Sequence, residues 1–254
     1  KEEKVILYLY NLPQTIIAWL ALQRLQAIPV MVAPVYTAYD IRYMANDVGA
    51  EIIICMDTNL SYVIDVISQA PIRKVIVTNM VDLLPWWKNV VGRGFGRVPM
   101  GKVPKGKEFL SFRELMKNGI PESLPRFDGK AEDTAVMLYT GGTTGFPKGV
   151  PLSAGLFLYR VDEWAKAAET LVPLGQGISL LSAPLYHVIG QMDGMTPVLM
   201  SGETLIVLPR VVLDAMFDHI QRYKATRMFA VPAMYRMILE HDRVDYYDFS
   251  SLKY

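Results

Sequence analysis

Little in this sequence could staple, anchor or steer a fold from outside. Cysteine occurs once, at Cys55, which excludes an internal disulfide and fits a reducing compartment. Histidine occurs three times, at His187, His219 and His241, and no metal-ligand spacing joins the last two. Charge of one sign is also missing. Lys and Arg total 26 and Asp and Glu 25, a formal net charge of +1, which gives no global reason to expect a nucleic-acid partner. No apolar run approaches the roughly 20 residues of a membrane-spanning helix. The Met-rich stretch around Met192, Met195 and Met200 is broken by Gln191, Asp193, Gly194 and Pro197. No internal repeat is seen, and the opening residues do not read as a signal peptide. Lys1-Glu2-Glu3-Lys4 runs straight into Val5-Ile6-Leu7-Tyr8-Leu9, so the start reads as a cut made ahead of a strand. The end, Ser251-Leu252-Lys253-Tyr254, lacks a terminating cap, and the order of elements leads us to expect more chain beyond it.

What is present is apolar material in a regular order. Of 254 residues, 52% are apolar, enough for one large domain or two small ones. Strands are expected at 5–9, 29–33, 51–55 and 75–77. Helices are expected over 13–27, with Pro13 in the first turn, from an N-cap at Asp40 through Asn46 to Gly49, and over 60–69. The strands are apolar on both faces and alternate with helices, the pattern of a mainly parallel sheet covered by helices. From Thr134 the alternation resumes, with strands at 134–139, 178–183, 203–208 and 226–230. Helices are expected at 153–171, near 190–200, at 211–223 and at 232–240. The fold class is therefore α/β, with two mainly parallel sheets flanked by helices. Three regions are expected: a first subdomain over 1–80, an irregular basic insertion and connection over 81–130, and a second subdomain over 131–254. In the insertion, Leu83 to Lys107 holds Lys88, Arg93, Arg97, Lys102, Lys105 and Lys107 with no acidic residue. Seven Gly or Pro residues from Gly92 to Gly106 make it a poor helix or strand.

The segment richest in chemistry is Tyr139-Thr-Gly-Gly-Thr-Thr-Gly-Phe-Pro-Lys-Gly-Val150. Glycines free the backbone and let a ligand approach it closely. Exposed amides in such a loop can form an anion nest, to which Thr140, Thr143 and Thr144 add hydroxyls and Lys148 a positive charge. The loop is expected after a strand and shortly before a helix, where open α/β sheets usually bind ligands. The set suits a polyphosphate. It is not a Walker A loop, since Lys148 follows Pro147 and precedes Gly149, and its glycine spacing is not the dinucleotide fingerprint. Read without context, it is a surface loop.

Tyr139 to Val150 closely resembles the phosphate-binding signature of the adenylate-forming superfamily, which comprises acyl-CoA synthetases, luciferases and peptide-synthetase adenylation domains. Many members carry Ser where this chain has Gly141, and fatty acyl-CoA synthetases often carry Gly. The likeness runs from Val5 to Tyr254 and includes the Pro29–Pro34 strand and Val48-Gly49-Ala50-Glu51. Pro184-Leu185-Tyr186-His187-Val188-Ile189-Gly190 resembles the segment that lines the family's acid-binding site. From chemistry alone His187 is a strand-end histidine bonded to backbone. The resemblance instead places it, as a catalytic residue, beside the carboxylate and thioester channel, with Tyr186 and Gly190 shaping that channel. Some long-chain enzymes carry a gating aromatic where this chain has Gln191. Val231-Pro232-Ala233-Met234-Tyr235 resembles a segment near the acyl pocket, although a helix face bearing Met and Tyr also reads as ordinary core. Cys55 reads as core, and His219 and His241 as solvated.

The resemblance implies the large N-terminal domain of a long-chain fatty acid–CoA ligase. Its co-substrates are ATP and coenzyme A, with Mg²⁺ as cofactor, and its location is cytoplasmic. Thr140, Gly141, Gly142, Thr143, Thr144, Gly145 and Lys148 are assigned to the triphosphate, with Thr140 also touching Mg²⁺. Tyr186, His187, Gly190, Val231 and Pro232 are assigned to the acyl and CoA channel. The family's adenine-binding segment, its Thr-Glu pair, its ribose-binding Asp and its mobile C-terminal domain have no counterpart here. The fragment is therefore expected not to complete adenylation by itself. Residues 83–107 read either as a solvated loop or as a peripheral membrane contact, since cations attract anionic headgroups and Trp favours the interface. A homodimer is left open. So are another acid, aryl or short-chain, and a non-catalytic binding or interaction domain.

Overall fold

The structure is a computed structural model that describes residues 2–94, 98–119, 126–141 and 146–253. The chain divides into two compact units, Lys1–Leu152 and Ser153–Tyr254. In the first unit β1 (Lys4–Tyr8), α1 (Pro13–Leu25), β2 (Ile28–Met31), α2 (Ala38–Val48), β3 (Ile52–Met56), α3 (Leu60–Ile64) and β4 (Lys74–Thr78) follow in order. Then come α4 (Trp86–Gly94), β5 (Phe109–Ser111), α5 (Phe112–Asn118), β6 (Thr134–Tyr139) and β7 (Gly149–Ser153). The strands form one sheet in the order β5-β4-β3-β1-β2-β6-β7. Pairing is parallel from β5 through to β6, with Ile6 opposite both Val30 and Ile53 and Met137 opposite Val30. Ile6, Val30, Ile53 and Val75 are wholly buried in a cluster with Ile41, Met44 and Ala45 of α2. Cys55 lies in the same cluster, where burial pushes its thiol well above the usual range.

Several expectations are corrected here. The first compact unit runs to Leu152, past the boundary expected at residue 80, because β6, expected within 131–254, hydrogen-bonds to β2. Asp40 does not cap α2 from its N-cap position. Thr37 is the N-cap, and the Asp40 carboxylate three residues later accepts from the Thr37 amide and hydroxyl, each at 2.8 Å. Gly49 does end the helix, at φ 66°. The helix expected over 60–69 is only α3, flanked by short 3-10 turns.

Most instructive is the segment expected to be wholly irregular. Trp86–Gly94 is helical, with its polarity inverted: Asn89 is buried and donates to the Val81 carbonyl at 3.1 Å, while Trp86, Trp87, Val90 and Val91 are exposed. The chain beyond is pinned. Asn79 donates to the Pro99 carbonyl at 3.1 Å, and the Gly101 amide donates to Asp57 at 3.0 Å. Gly101 lies so close to that turn that a Cβ would stand 1.8 Å from the Asp57 carbonyl oxygen. Individual polar anchors, rather than propensity, order the segment.

The second unit holds α6 (Ala154–Glu169), β8 (Ile178–Leu181), α7 (Thr196–Met200), β9 (Thr204–Val207), α8 (Leu213–Tyr223), β10 (Arg227–Phe229) and α9 (Pro232–Leu239). Its sheet is parallel, in the order β10-β8-β9. Leu180, Ile206 and Met228 pack on Met216, Phe217 and Ile220 of α8. His219 and His241 are partly buried rather than solvated, and His241 meets Phe217 edge-on at 5.2 Å. Arg227 and Glu203 form an ion pair with both side chains wholly buried, and the guanidinium lies 4.6 Å from the centre of the Trp164 ring.

Removing one member of such a pair strands the other charge in the interior. We therefore expect Arg227→Met to cost this unit about 3–5 kcal/mol. Adding Glu203→Leu should recover most of that loss. Hydrogen exchange of the β8 and β10 amides along a urea titration checks both. A single variant within ~1 kcal/mol of the parent would refute the assignment.

Candidate functional site

Parallel strands collect their following loops at the carboxyl edge of their own sheet, and each predicted motif lies at that edge within its own unit. In the first unit β6 ends at Tyr139 and the glycine–threonine loop begins. The Thr140 amide donates to the Lys148 carbonyl at 3.1 Å, and the Lys148 amide reaches the Thr140 hydroxyl at 3.4 Å. These bonds close the neck of the loop and hold Thr140 and Lys148 side by side, both exposed. A helix, α6, begins at Ala154, where one was expected from about residue 153, and a short strand that was not expected, β7, lies between it and the loop. Gly142, Thr143, Thr144 and Gly145 lie outside the described residues. Gly141 is described, and a Cβ built on it would meet nothing within 4 Å among the described residues. Those residues place no steric demand for glycine there.

The two ends of the loop rest on α2. The Tyr139 hydroxyl donates to Asp47 at 2.6 Å. Burial first, and that bond second, hold the Tyr139 hydroxyl well above the ordinary tyrosine range, so it remains a donor. At the other end Phe146 stacks on Tyr43 with ring centres 5.0 Å apart, and the Tyr43 hydroxyl donates to the Pro147 carbonyl at 3.1 Å. Nothing in the sequence reading singled out Tyr43 or Asp47. The helical spacing of positions 43 and 47 was visible, but their pairing with a loop about a hundred residues later was not.

In the second unit β8 leads into Pro184–Gly190. The His187 amide donates to the Pro184 carbonyl at 3.1 Å, His187 is exposed, and the partly buried Tyr186 lies 4.8 Å from it, ring centre to ring centre. Gly190 starts a π-helical turn over Gly190–Met195, a form of helix frequent at functional sites. Here glycine is a steric necessity, because a Cβ would stand 2.1 Å from the Pro184 carbonyl oxygen. Gln191 is wholly buried, and its amide nitrogen donates to the Leu185 carbonyl at 2.7 Å, fixing the turn that carries His187. Read in sequence, Gln191 was only an interruption and a missing aromatic. No local pattern marked its role. Arg160 of α6 pairs with Asp193 and holds the π-turn from outside. Val231 and Pro232 follow β10, are exposed, and leave the same carboxyl edge of the three-stranded sheet as the His187 segment. Met234 packs into the core of the unit, whereas Tyr235 is exposed.

Thr140 Oγ could supply one oxygen ligand to Mg²⁺. Mg²⁺ usually keeps several waters and binds through few protein groups together with substrate phosphates, so a single hydroxyl is compatible with it. Among the described residues, no group of three His, Cys, Asp or Glu could hold a metal ion. No helix among them is long and apolar enough to cross a membrane.

Comparison with known proteins gives the family of the chain and its similar structures. Residues 1–254 match the family described as AMP-binding enzyme. A long-chain-fatty-acid–CoA ligase of Bacillus subtilis is 28% identical over 269 residues, covering 100% of this chain and 45% of that protein. A 4-coumarate–CoA ligase-like protein of Arabidopsis thaliana is 32% identical over 155 residues, covering 60% of this chain and 28% of that protein. The crystal structure of an anthranilate CoA ligase in complex with anthranoyl-AMP superposes with a TM-score of 0.81 at 20% identity, over 98% of this chain and 44% of that one. The chain thus spans a little under half the length of the curated ligases it matches end to end.

The contrast between two glycines is measurable. Gly190→Ala should destabilise the second unit by about 1–3 kcal/mol, since its methyl has nowhere to go. Gly141→Ser should stay within about 0.5 kcal/mol of the parent. Thermal unfolding of the two variants decides, and equal effects would contradict the geometry.

Proposed function

The chain belongs to the AMP-binding enzyme family, and on that footing we propose that it supplies the phosphate-binding and acid-binding parts of an ATP-dependent fatty acid–CoA ligase. The observation that carries this reading is the closed neck of the loop, where the Lys148 backbone is bonded to Thr140 at the carboxyl end of a parallel strand and both residues are exposed. In the proposed reaction a fatty carboxylate oxygen attacks the α-phosphorus of ATP. Acyl-adenylate forms as the bond to pyrophosphate breaks. The thiolate of coenzyme A then attacks the acyl carbon and releases AMP. Charge builds on the departing pyrophosphate, and fixed amides, hydroxyls and a cation stabilise it best when they are already in place. Thr140, Gly141 and Lys148, with positions 142–145, are proposed for that task, and Thr140 Oγ as one ligand of Mg²⁺. Bound Mg²⁺ would neutralise phosphate charge. Tyr186, His187 and Gly190, with Val231 and Pro232, are proposed to border the acyl and thioester channel.

The family resemblance and the match of the whole chain to part of a long-chain ligase support a long-chain acid. The 32% identity to a 4-coumarate–CoA ligase-like protein favours an aryl acid as the second reading. Because the chain spans 45% of the first relative's length, the complete reaction is proposed for a polypeptide of that length, not for these 254 residues alone. Binding should survive in the chain itself. We expect it to bind tripolyphosphate in calorimetry, and Lys148→Ala to weaken that binding about tenfold, the loss of one charge-assisted contact. Dodecanoate should raise its thermal midpoint more than 4-coumarate does. Tripolyphosphate binding that ignores Lys148 would refute the loop assignment, and the reverse order of acids would select the aryl reading.

The 83–107 segment is proposed as a peripheral membrane contact. Its support is an outward face of Trp86, Trp87, Val90 and Val91 with Lys102, Lys105 and Lys107 in the same basic segment, while Asn89, Pro99 and Gly101 tie the backbone down. Each lysine near an anionic surface contributes about 1 kcal/mol. Replacing the three by Gln should therefore cut co-sedimentation with phosphatidylserine vesicles at least tenfold. Unchanged sedimentation would leave the segment a solvated surface.

A further inference from the structure

Helix α2 meets the phosphate loop at both of its ends, through residues spaced four apart. Tyr39, Tyr43 and Asp47 lie at i, i+4 and i+8, one above another on a single helix face. At the entry to the loop, Asp47 accepts the Tyr139 hydroxyl at 2.6 Å. At the exit, Phe146 sits against two rings of that face, 5.0 Å from Tyr43 and 6.4 Å from Tyr39. The Tyr43 hydroxyl donates to the Pro147 carbonyl at 3.1 Å, on the residue directly before Lys148. Phe146 is 56% exposed, so burial alone does not account for its place against the helix. Tyr43 is itself anchored, since part of its ring packs on the core cluster of the first sheet.

We propose that this face of α2 is the brace of the phosphate loop and that Tyr43 is its positioning residue. The inference rests on the reading of the loop as a polyphosphate site. A loop tethered at one end would have to be ordered by its ligand, and that ordering would subtract from affinity. Here Tyr139 and Asp47 fix where the chain enters. Tyr43 fixes the Phe146 ring and the Pro147 carbonyl, which sets the path of the backbone into Lys148. The Lys148 carbonyl in turn accepts the Thr140 amide at 3.1 Å and joins the two tethered ends. Tyr43 does not touch the ligand in this scheme. It acts through Phe146 and Pro147.

The test uses the 254-residue chain, with tripolyphosphate as the probe and three readouts: dissociation constant, thermal midpoint and hydrogen exchange of the Thr140 amide. Phe146→Ala should weaken binding about fivefold to tenfold, the size expected for losing an aromatic pair. It should also speed Thr140 exchange without moving the midpoint, because Phe146 lies at the surface. Tyr43→Ala should lose at least as much affinity. The double variant should be no weaker than Tyr43→Ala, since the two rings act as one unit. Tyr43→Phe keeps the stack and should restore most of the affinity. A purely structural role would instead lower the midpoint in step with affinity and would leave the two substitutions additive. Binding that is insensitive to Phe146→Ala and Tyr43→Ala overturns the brace and leaves the polyphosphate reading intact. An unsubstituted chain that does not bind tripolyphosphate overturns that reading, and the inference with it.

Discussion

Two strands that pair in parallel must be joined by a crossover, and the crossover must return to the edge where the next strand begins. From β5 to β6 the first sheet pairs in parallel, and so does the whole of the second. The middle of each sheet is therefore spent on burial: Ile6, Val30, Ile53 and Val75 have no exposed surface. Polar chemistry has room only where strands end. The glycine–threonine loop after β6, the His187 turn after β8 and the Val231–Pro232 step after β10 all occupy such ends. The segments proposed for binding fall there because the sheet leaves them nowhere else to fall.

Periodicity made most of this architecture legible before any coordinates. The apolar runs at Val5, Ile52 and Val75 and the helical spacing from Pro13 onward could be read because a buried strand and an amphipathic helix write themselves locally. What could not be read was fixed by partners distant in sequence. Trp86–Gly94 looks like a poor helix, and its order depends on Asn89 reaching Val81 and on Asn79 and Asp57 holding Pro99 and Gly101. The short strand β5 pairs with β4 after thirty residues of intervening chain, without a long apolar run to announce it. Asp40 alone was read as the cap of α2, and Thr37 was missed, because the sequence does not show that the carboxylate reaches back three residues rather than forward.

The candidate site was legible in a similar way. Motif residues stood out because glycine, threonine and lysine at that spacing are chemically unusual. The residues that hold them in place did not, because Tyr43, Asp47 and Gln191 have no local anomaly. Gln191 in particular looks like a defect in an apolar stretch until its amide is seen closing the turn at Leu185. Glycine also carried two meanings under one letter. At position 190 it marks a backbone approach that excludes any side chain, whereas at position 141 the described residues leave room for one.

The fate of Cys55 has a practical reading. Its sulfur is enclosed within the first sheet, and burial disfavours the thiolate that would be needed to react. A thiol-selective maleimide dye added to the folded chain therefore finds no reactive native thiol. A cysteine introduced at any exposed position becomes the sole labelling site without first replacing the natural one. The core of this protein thus leaves its surface free of thiols, ready for a single-site spectroscopic probe.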